Sequence, residues 1–337
     1  MKVLISKTSG LIDKYEVNGA DYLKADSGRI EVYKDNEDPW GMTVDGFCDK
    51  IGGFKLLDKS ETNSFNGYPD VDFENVRVIE NGDVRCKIQA VFKHQNSFAV
   101  VTYTIPKQSE YIDIKIKILS NDPNVMYKLT FDSTLNNPDF IGQSMFGRES
   151  LRSDGNEVTF QKWCGLFDKK MSLAIINKGT YGGSSKDGCV SISLLRTPVF
   201  SAHPIKERPI ADNRLNHNHI DIGEREFEYR LTADTSFIDK DAEMFNQPPY
   251  SLSFFPSGDG IKKETELSLS NEDIIMTAYK ALSDDKKLIR LFNSLGTDTK
   301  AKLINNDNSF EIVFAAYEVK TMILTDNSLR ETDMLSE

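Results

Sequence analysis

Along most of this chain polar and apolar residues alternate with period two, the spacing that puts every second side chain on one face of a β-strand. From Tyr111 to Ile118, four isoleucines (Ile112, Ile114, Ile116, Ile118) interleave with Asp113, Lys115 and Lys117, which predicts a half-buried strand. Phe98 to Ile105 is apolar on both faces and rich in β-branched residues, as in a strand held between layers, and Pro106 ends it. Asn81-Gly82, just before Val84 to Phe92, is a hairpin signal. Alternation continues through Lys170 to Asn177, Cys189 to Leu195 and Phe227 to Leu231, each bounded by Gly, Pro, Asn or Asp. So many short strands without intervening amphipathic helices predict antiparallel all-β layers.

Between Thr235 and Gly258 the alternation lapses into Asp239-Lys240-Asp241-Ala242-Glu243 and then Asn246-Gln247-Pro248-Pro249, which marks a linker. Strand patterns resume at Glu266 to Ser270, Leu288 to Phe292 and Phe310 to Phe314, in a segment of roughly 80 residues, the size of a small immunoglobulin-like sandwich. The expected organisation is a large sandwich over residues 1–240, a small sandwich over 247–327 and a frayed tail over 328–337. One stretch conflicts with it: Asn271-Glu272-Asp273 could cap a helix carrying Ile274, Ile275, Ala278, Tyr279 and Leu282 at helical spacing. The strands around it need a partner, so a strand with a turn at Ser283-Asp284-Asp285 is expected instead.

Composition leaves this picture standing. With 39% hydrophobic, 28% charged and 10% aromatic residues over 337 positions, the chain can build a substantial core and more than one domain. Lys and Arg number 41 against 52 Asp and Glu, and a formal charge of -11 repels phosphate backbones and anionic membranes, so neither is an expected partner. Val3-Leu4-Ile5 is far too short for a signal-peptide core and no run reaches a membrane span, so a cytoplasmic location is the expectation. Cys48, Cys86, Cys164 and Cys189 show no metal-binding spacing and read as buried reduced thiols.

Three segments in fixed order carry a family resemblance: Gln161-Lys162-Trp163-Cys164-Gly165-Leu166-Phe167-Asp168, then Leu173 to Gly182 ending Asn177-Lys178-Gly179-Thr180-Tyr181-Gly182, then Leu194-Leu195-Arg196-Thr197-Pro198. With Asp38-Pro39-Trp40-Gly41, Asp221-Ile222-Gly223-Glu224, Leu291-Phe292-Asn293 and Phe314 to Leu324, the chain resembles the second half of the family 38 α-mannosidases over nearly its whole length. It departs at Arg225, where relatives often carry His, and at Thr197, where Ser is common. The resemblance implies a galactose mutarotase-like supersandwich followed by a small immunoglobulin-like sandwich, and it also places a strand over 274–282.

In that family the zinc ligands and the aspartate nucleophile belong to an N-terminal α/β catalytic domain, and no segment of this chain matches them. A retaining glycosidase needs two carboxyl groups about 5–5.5 Å apart, and here a metal as well. The expectation is therefore a portion without catalytic residues, metal or cofactor of its own, inactive alone. Its partners would be mannosides and the missing catalytic domain that holds the zinc. A free-standing carbohydrate-binding module is a rival reading, as is an aldose epimerase, although the four histidines lie far from any recognisable Glu motif that could complete its acid–base pair.

Candidate binding residues sit where the strand pattern breaks. Asp38 and Trp40 offer a carboxylate and a flat apolar face to a pyranose, or pack as ordinary loop and core residues. Arg196 and His203 flank a strand end, where Arg196 either faces a ligand or anchors a carboxylate within the fold. His217, His219 and Asp221 would share one strand face and could hold zinc, but Asn213, Asn216 and Asn218 make the region a polar loop, at the surface or facing a substrate. Trp163 reads as core. Gly52-Gly53 and Gly182-Gly183 read as turns or bulges, and no Gly-x-Ser-x-Gly occurs.

Overall fold

A computed structural model describes residues 1–35, 45–67, 71–199, 218–250, 252, 267–306 and 308–335. The described residues are overwhelmingly β, and they divide into two compact units, Met1–Gly142 with Ser150–Thr235, and Gln143–Glu149 with Ser236–Glu337.

The first unit is a sandwich. One large sheet runs through Trp163–Phe167, Ser172–Asn177, Gly223–Thr232, Tyr111–Ser120, Ser97–Pro106 and Arg85–His94, with Val76–Asn81 and Lys55–Leu56 both pairing the last of these. The other sheet has six strands in the order Val158–Thr159, Gly182–Lys186, Cys189–Arg196, Val125–Asp132, Arg29–Lys34 and Lys50–Gly53. The pairings are antiparallel, as the short turns between successive strands require. Ile112, Ile114, Ile116 and Ile118 are all buried while Lys115 and Lys117 are exposed, so the period-two pattern is realised in register. They share one core with Ile30, Val32, Tyr127, Leu129, Phe131, Val190 and Ile192 of the facing sheet. Trp163 is fully buried, on the opposite side of its strand from Cys164 and Leu166, which enter that core.

Gly182-Gly183 is part of a strand rather than a turn. A Cβ at Gly183 would stand 2.6 Å from the Ser191 carbonyl oxygen, so only glycine lets the neighbouring strand approach. Gly52-Gly53 lies beside a register shift against Val32 and Tyr33, consistent with a bulge.

The second unit has a three-stranded sheet, Leu267–Leu269, Thr299–Asn305 and Asn308–Phe314, and a four-stranded sheet, Ile274–Ser283, Lys286–Asn293, Val319–Leu324 and Leu329–Thr332. Ile289, Leu291, Leu303, Phe314 and Leu324 lead its core. Ile274–Ser283 is a strand despite its helical spacing, because ladder pairing with Lys286–Asn293 and burial of Ile274 outweigh local propensity.

Three boundaries differ from expectation. The supposed linker contains a helix, Ile238–Asn246, which buries Ile238, Asp239 and Ala242; Asp239 is held by Arg148 (2.6 and 2.8 Å) and Gln143 (2.9 Å), so what reads as a charge run is one buried face. Residues 236–240 and 143–149 accordingly cluster with the second unit. The tail contributes Leu329–Thr332 as an edge strand against Val319–Leu324. A further helix, Lys59–Asn66, is stopped by Gly67 at φ 69° and started by a reciprocal capping box between Asp58 and Glu61; too polar and short to show a period, it was legible only through those caps. No helix among the described residues is long and apolar enough to cross a membrane. Of the cysteines, Cys164 is buried, Cys86 and Cys189 are half-buried and Cys48 is exposed; all four are free thiols, and burial pushes that of Cys189 up to about 12.

Candidate functional site

The six-stranded sheet turns one face to the core and carries charge on the other. Because side chains alternate, burying Tyr127, Leu129 and Phe131 sends Lys128 and Thr130 outward, Lys128 opposite Glu31 and Ser193 and Thr130 opposite Arg29 and Ser191. Yet Lys128 and Thr130 are each only 1% exposed and Glu31 6%. Buried charge is costly unless it is paired and hydrogen-bonded, and here it is. The Lys128 ammonium meets the Glu157 carboxylate and lies 3.2 Å from Ser184 Oγ, with the rings of Tyr33 and Phe47 at 5.1 and 5.9 Å. Ser193 donates to Glu157 Oε2 at 2.9 Å, and the Glu157 amide donates to the Asp45 carbonyl at 2.8 Å.

Glu31 accepts from Lys50 at 2.6 Å, Tyr33 at 2.7 Å, Arg29 at 3.2 Å and Thr130 at 3.2 Å. Burial alone would raise its pKa, but the Lys50 ion pair and the Tyr33 and Arg29 hydrogen bonds outweigh it and hold the carboxyl below the usual carboxylate range. Burial, reinforced by the carboxylate beside it, pushes the Tyr33 phenol upward. A carboxyl depressed in the folded state stabilises fully above its unfolded pKa and loses that contribution as pH falls through the folded one. Urea midpoints across the acid range should therefore fall less steeply for Glu31→Gln than for the unaltered chain; parallel profiles would show that Glu31 contributes nothing to acid sensitivity.

At the end of this sheet Arg196 grips Asp35 through two bonds, Nη2 to Oδ1 at 2.7 Å and Nε to Oδ2 at 3.0 Å, and its guanidinium lies 4.7 Å from the centre of the Phe47 ring. Asp35 is wholly buried. Of the two readings open for Arg196, the geometry shows the internal anchor. Next to it, the Thr197 hydroxyl donates to the Asp122 carbonyl at 2.8 Å and accepts from the Val125 amide at 3.0 Å, so the Leu-Leu-Arg-Thr-Pro segment is a structural clasp. His219 Nδ1 is 3.0 Å from the Thr197 carbonyl, and His219 bridges to Val199. Asp221 pairs with Arg225 at 3.2 Å. Asp38, Trp40, His203 and His217 lie outside the described residues. Among the described residues no group of three or more His, Cys, Asp or Glu could hold a metal ion, so no zinc site can be assembled from them.

Asp35, Phe47, Lys128 and Glu157 were missed as site residues. Lys128 had a signal, a lone cation on the polar phase of Val125–Asp132, but nothing local revealed that its face would be covered. The charged side chains at the centre of this cluster are engaged in ion pairs and hydrogen bonds. The arrangement fixes the segments that cross the sheet rather than presenting a carboxyl pair to a substrate.

Comparison with solved structures agrees with the architecture. A protein in glycosyl hydrolase family 38 from Enterococcus faecalis superposes with a TM-score of 0.69 at 12% identity, over 95% of this chain and 42% of that one. An α-mannosidase from Enterococcus faecalis V583 gives 0.67 at 13% identity, over 95% and 40%. The fold is thus the all-β sandwich found in glycosyl hydrolases of this type. More narrowly, residues 1–203 match the model of the glycosyl hydrolases family 38 C-terminal domain, and the chain belongs to that family. It is 23% identical over 341 aligned residues to an alpha-mannosidase of Saccharomyces cerevisiae, covering 90% of this chain and 29% of the relative, and 22% identical to alpha-mannosidase G of Dictyostelium discoideum, covering 66% and 21%. The chain therefore spans less than a third of either relative.

Proposed function

We propose that this chain serves as the non-catalytic C-terminal portion of an α-mannosidase, supporting and shaping the mannoside site of a catalytic domain that is not among these residues. The carrying observation is that residues 1–203 match a C-terminal domain model while the described charged cluster is internally neutralised. Asp35, next to 36–44 in sequence, and Arg196, four positions before 200–217, are clasped together, so the described chain is fixed at both places. Asp38, Trp40, His203 and His217 in those segments are the residues by which the chain would meet a mannoside. Zinc, in this reading, is held by the catalytic domain. Four free thiols favour a cytoplasmic setting.

The purified chain, incubated with an aryl α-mannoside and zinc, should release no phenol above the uncatalysed rate. Sustained release that co-purifies with the chain and is removed by antibody against it would overturn the proposal.

A further inference from the structure

Away from the charged sheet face, a groove of about 350 Å³ opens between the helix Lys59–Asn66 and the hairpin formed by Arg85–His94 and Ser97–Pro106. Its floor is aromatic. Phe65 lies 5.1 Å ring to ring from Phe98, tilted by 34°. Phe65 docks the helix on Phe98 and still keeps 38% of its exposure, so part of the ring pair stays open to the groove. Ser60, Glu61 and Ser64 complete the helix face above the groove, Ser60 beside Ser64 and Glu61 beside Phe65 as i,i+4 neighbours. Across from them the Lys93 ammonium sits 5.6 Å from the Phe98 ring centre and 3.9 Å from Glu61 Oε1. That separation is too long for a direct hydrogen bond. An oxygen lying to one side of the line between them is within reach of both, accepting from Lys93 and donating to Glu61.

An apolar ring pair flanked by an opposed cation and carboxylate and by two hydroxyls is complementary to a pyranose, which has a C–H face to lie on the rings and hydroxyls that both donate and accept. Lys93 and Glu61 neutralise each other, and the chain carries -11 overall, so the fitting ligand is uncharged. The size lies at the lower end of small-molecule pockets, enough for one or two sugar rings.

We infer that this groove is a pyranoside-binding site, holding a neutral sugar against the open edges of Phe65 and Phe98 with a hydroxyl reaching Lys93 and Glu61 from the side. The expectation of a mannose-type sugar, and only that, rests on the proposed function. An open, polar groove of this kind binds on the order of millimolar.

The test is saturation-transfer NMR with a titration of the whole chain by methyl α-mannopyranoside and methyl α-glucopyranoside, repeated on Phe65→Ala and Lys93→Met, with melting curves as a check on folding. Saturable binding that weakens about five-fold or more in each variant, at unchanged melting, is expected. Absence of saturable binding of either sugar would overturn the inference, as would equal affinity in the variants, or displacement of the sugar by inorganic phosphate. The mannosidase reading is tested separately, by the release of phenol from an aryl mannoside by the chain alone. No sugar binding and no phenol release would remove only this inference; sugar binding with sustained release would remove only that reading.

Discussion

Glu157→Ala should destabilise the first unit by about 3–5 kcal/mol, because it strands a buried ammonium. Lys128 is the deeper partner: its side chain keeps 2% of its exposure against 14% for Glu157. Removing the carboxylate leaves the cation with Ser184 Oγ at 3.2 Å and the faces of Tyr33 and Phe47, too little to replace a counter-charge. The opposite change is gentler. Lys128→Met fills the same space with an apolar stem between two rings, and the abandoned carboxylate retains Ser193 and some water, so about 1–2 kcal/mol is expected. Combining Lys128→Met with Glu157→Gln should recover most of the loss, since a neutral pair no longer carries the desolvation penalty.

Urea unfolding followed by tryptophan fluorescence isolates the relevant part, because both tryptophans, Trp40 and Trp163, fall within the first unit's residues. A loss under about 1 kcal/mol for Glu157→Ala, or a larger loss for Lys128→Met, would show that the cluster is wetter than its geometry implies. Either result would also weaken the view that this sheet face is a scaffold.

The parts legible in the sequence are those where one rule acts alone. Ile112 to Ile118 announced a strand because a sheet with one wet face writes its period directly into the residues, and the strand is there in register. Ile274 to Ser283 was legible only through its neighbours, since its own spacing is helical. Ile238–Asn246 was hidden because its buried residues are one aspartate with Ile238 and Ala242; the partners that hold Asp239, Arg148 and Gln143, lie some ninety positions earlier. The charged cluster was hidden for the same reason. Glu31 to Thr130 and Asp35 to Arg196 are contacts across more than 90 positions, and alternation says that a lysine points away from the core without saying what covers it. Arg196, in contrast, was singled out by its place at a strand end, and both of its candidate roles could be written down before either partner was known.

Arg196→Ala should cost the first unit about 3–5 kcal/mol, because it removes one side of a buried, bidentate ion pair. Asp35 has no exposure and loses the bidentate guanidinium grip, while Phe47 loses the flat cation stacked against it. Arg196→Lys should recover only part of this, because an ammonium offers neither two parallel donors nor a planar face. Asp35→Asn is expected to be milder, about 1–2 kcal/mol: it removes the buried charge, and the Arg196 side chain at 19% exposure can still reach water. The order Arg196→Ala, Arg196→Lys, Asp35→Asn in falling cost, read from fluorescence-detected urea midpoints, distinguishes a buried, geometry-dependent pair from a surface one, for which all three would lie within about 1 kcal/mol. A surface-like result would remove the rigid clasp between Asp35 and Arg196, and with it the physical support for the proposed role of this end of the sheet.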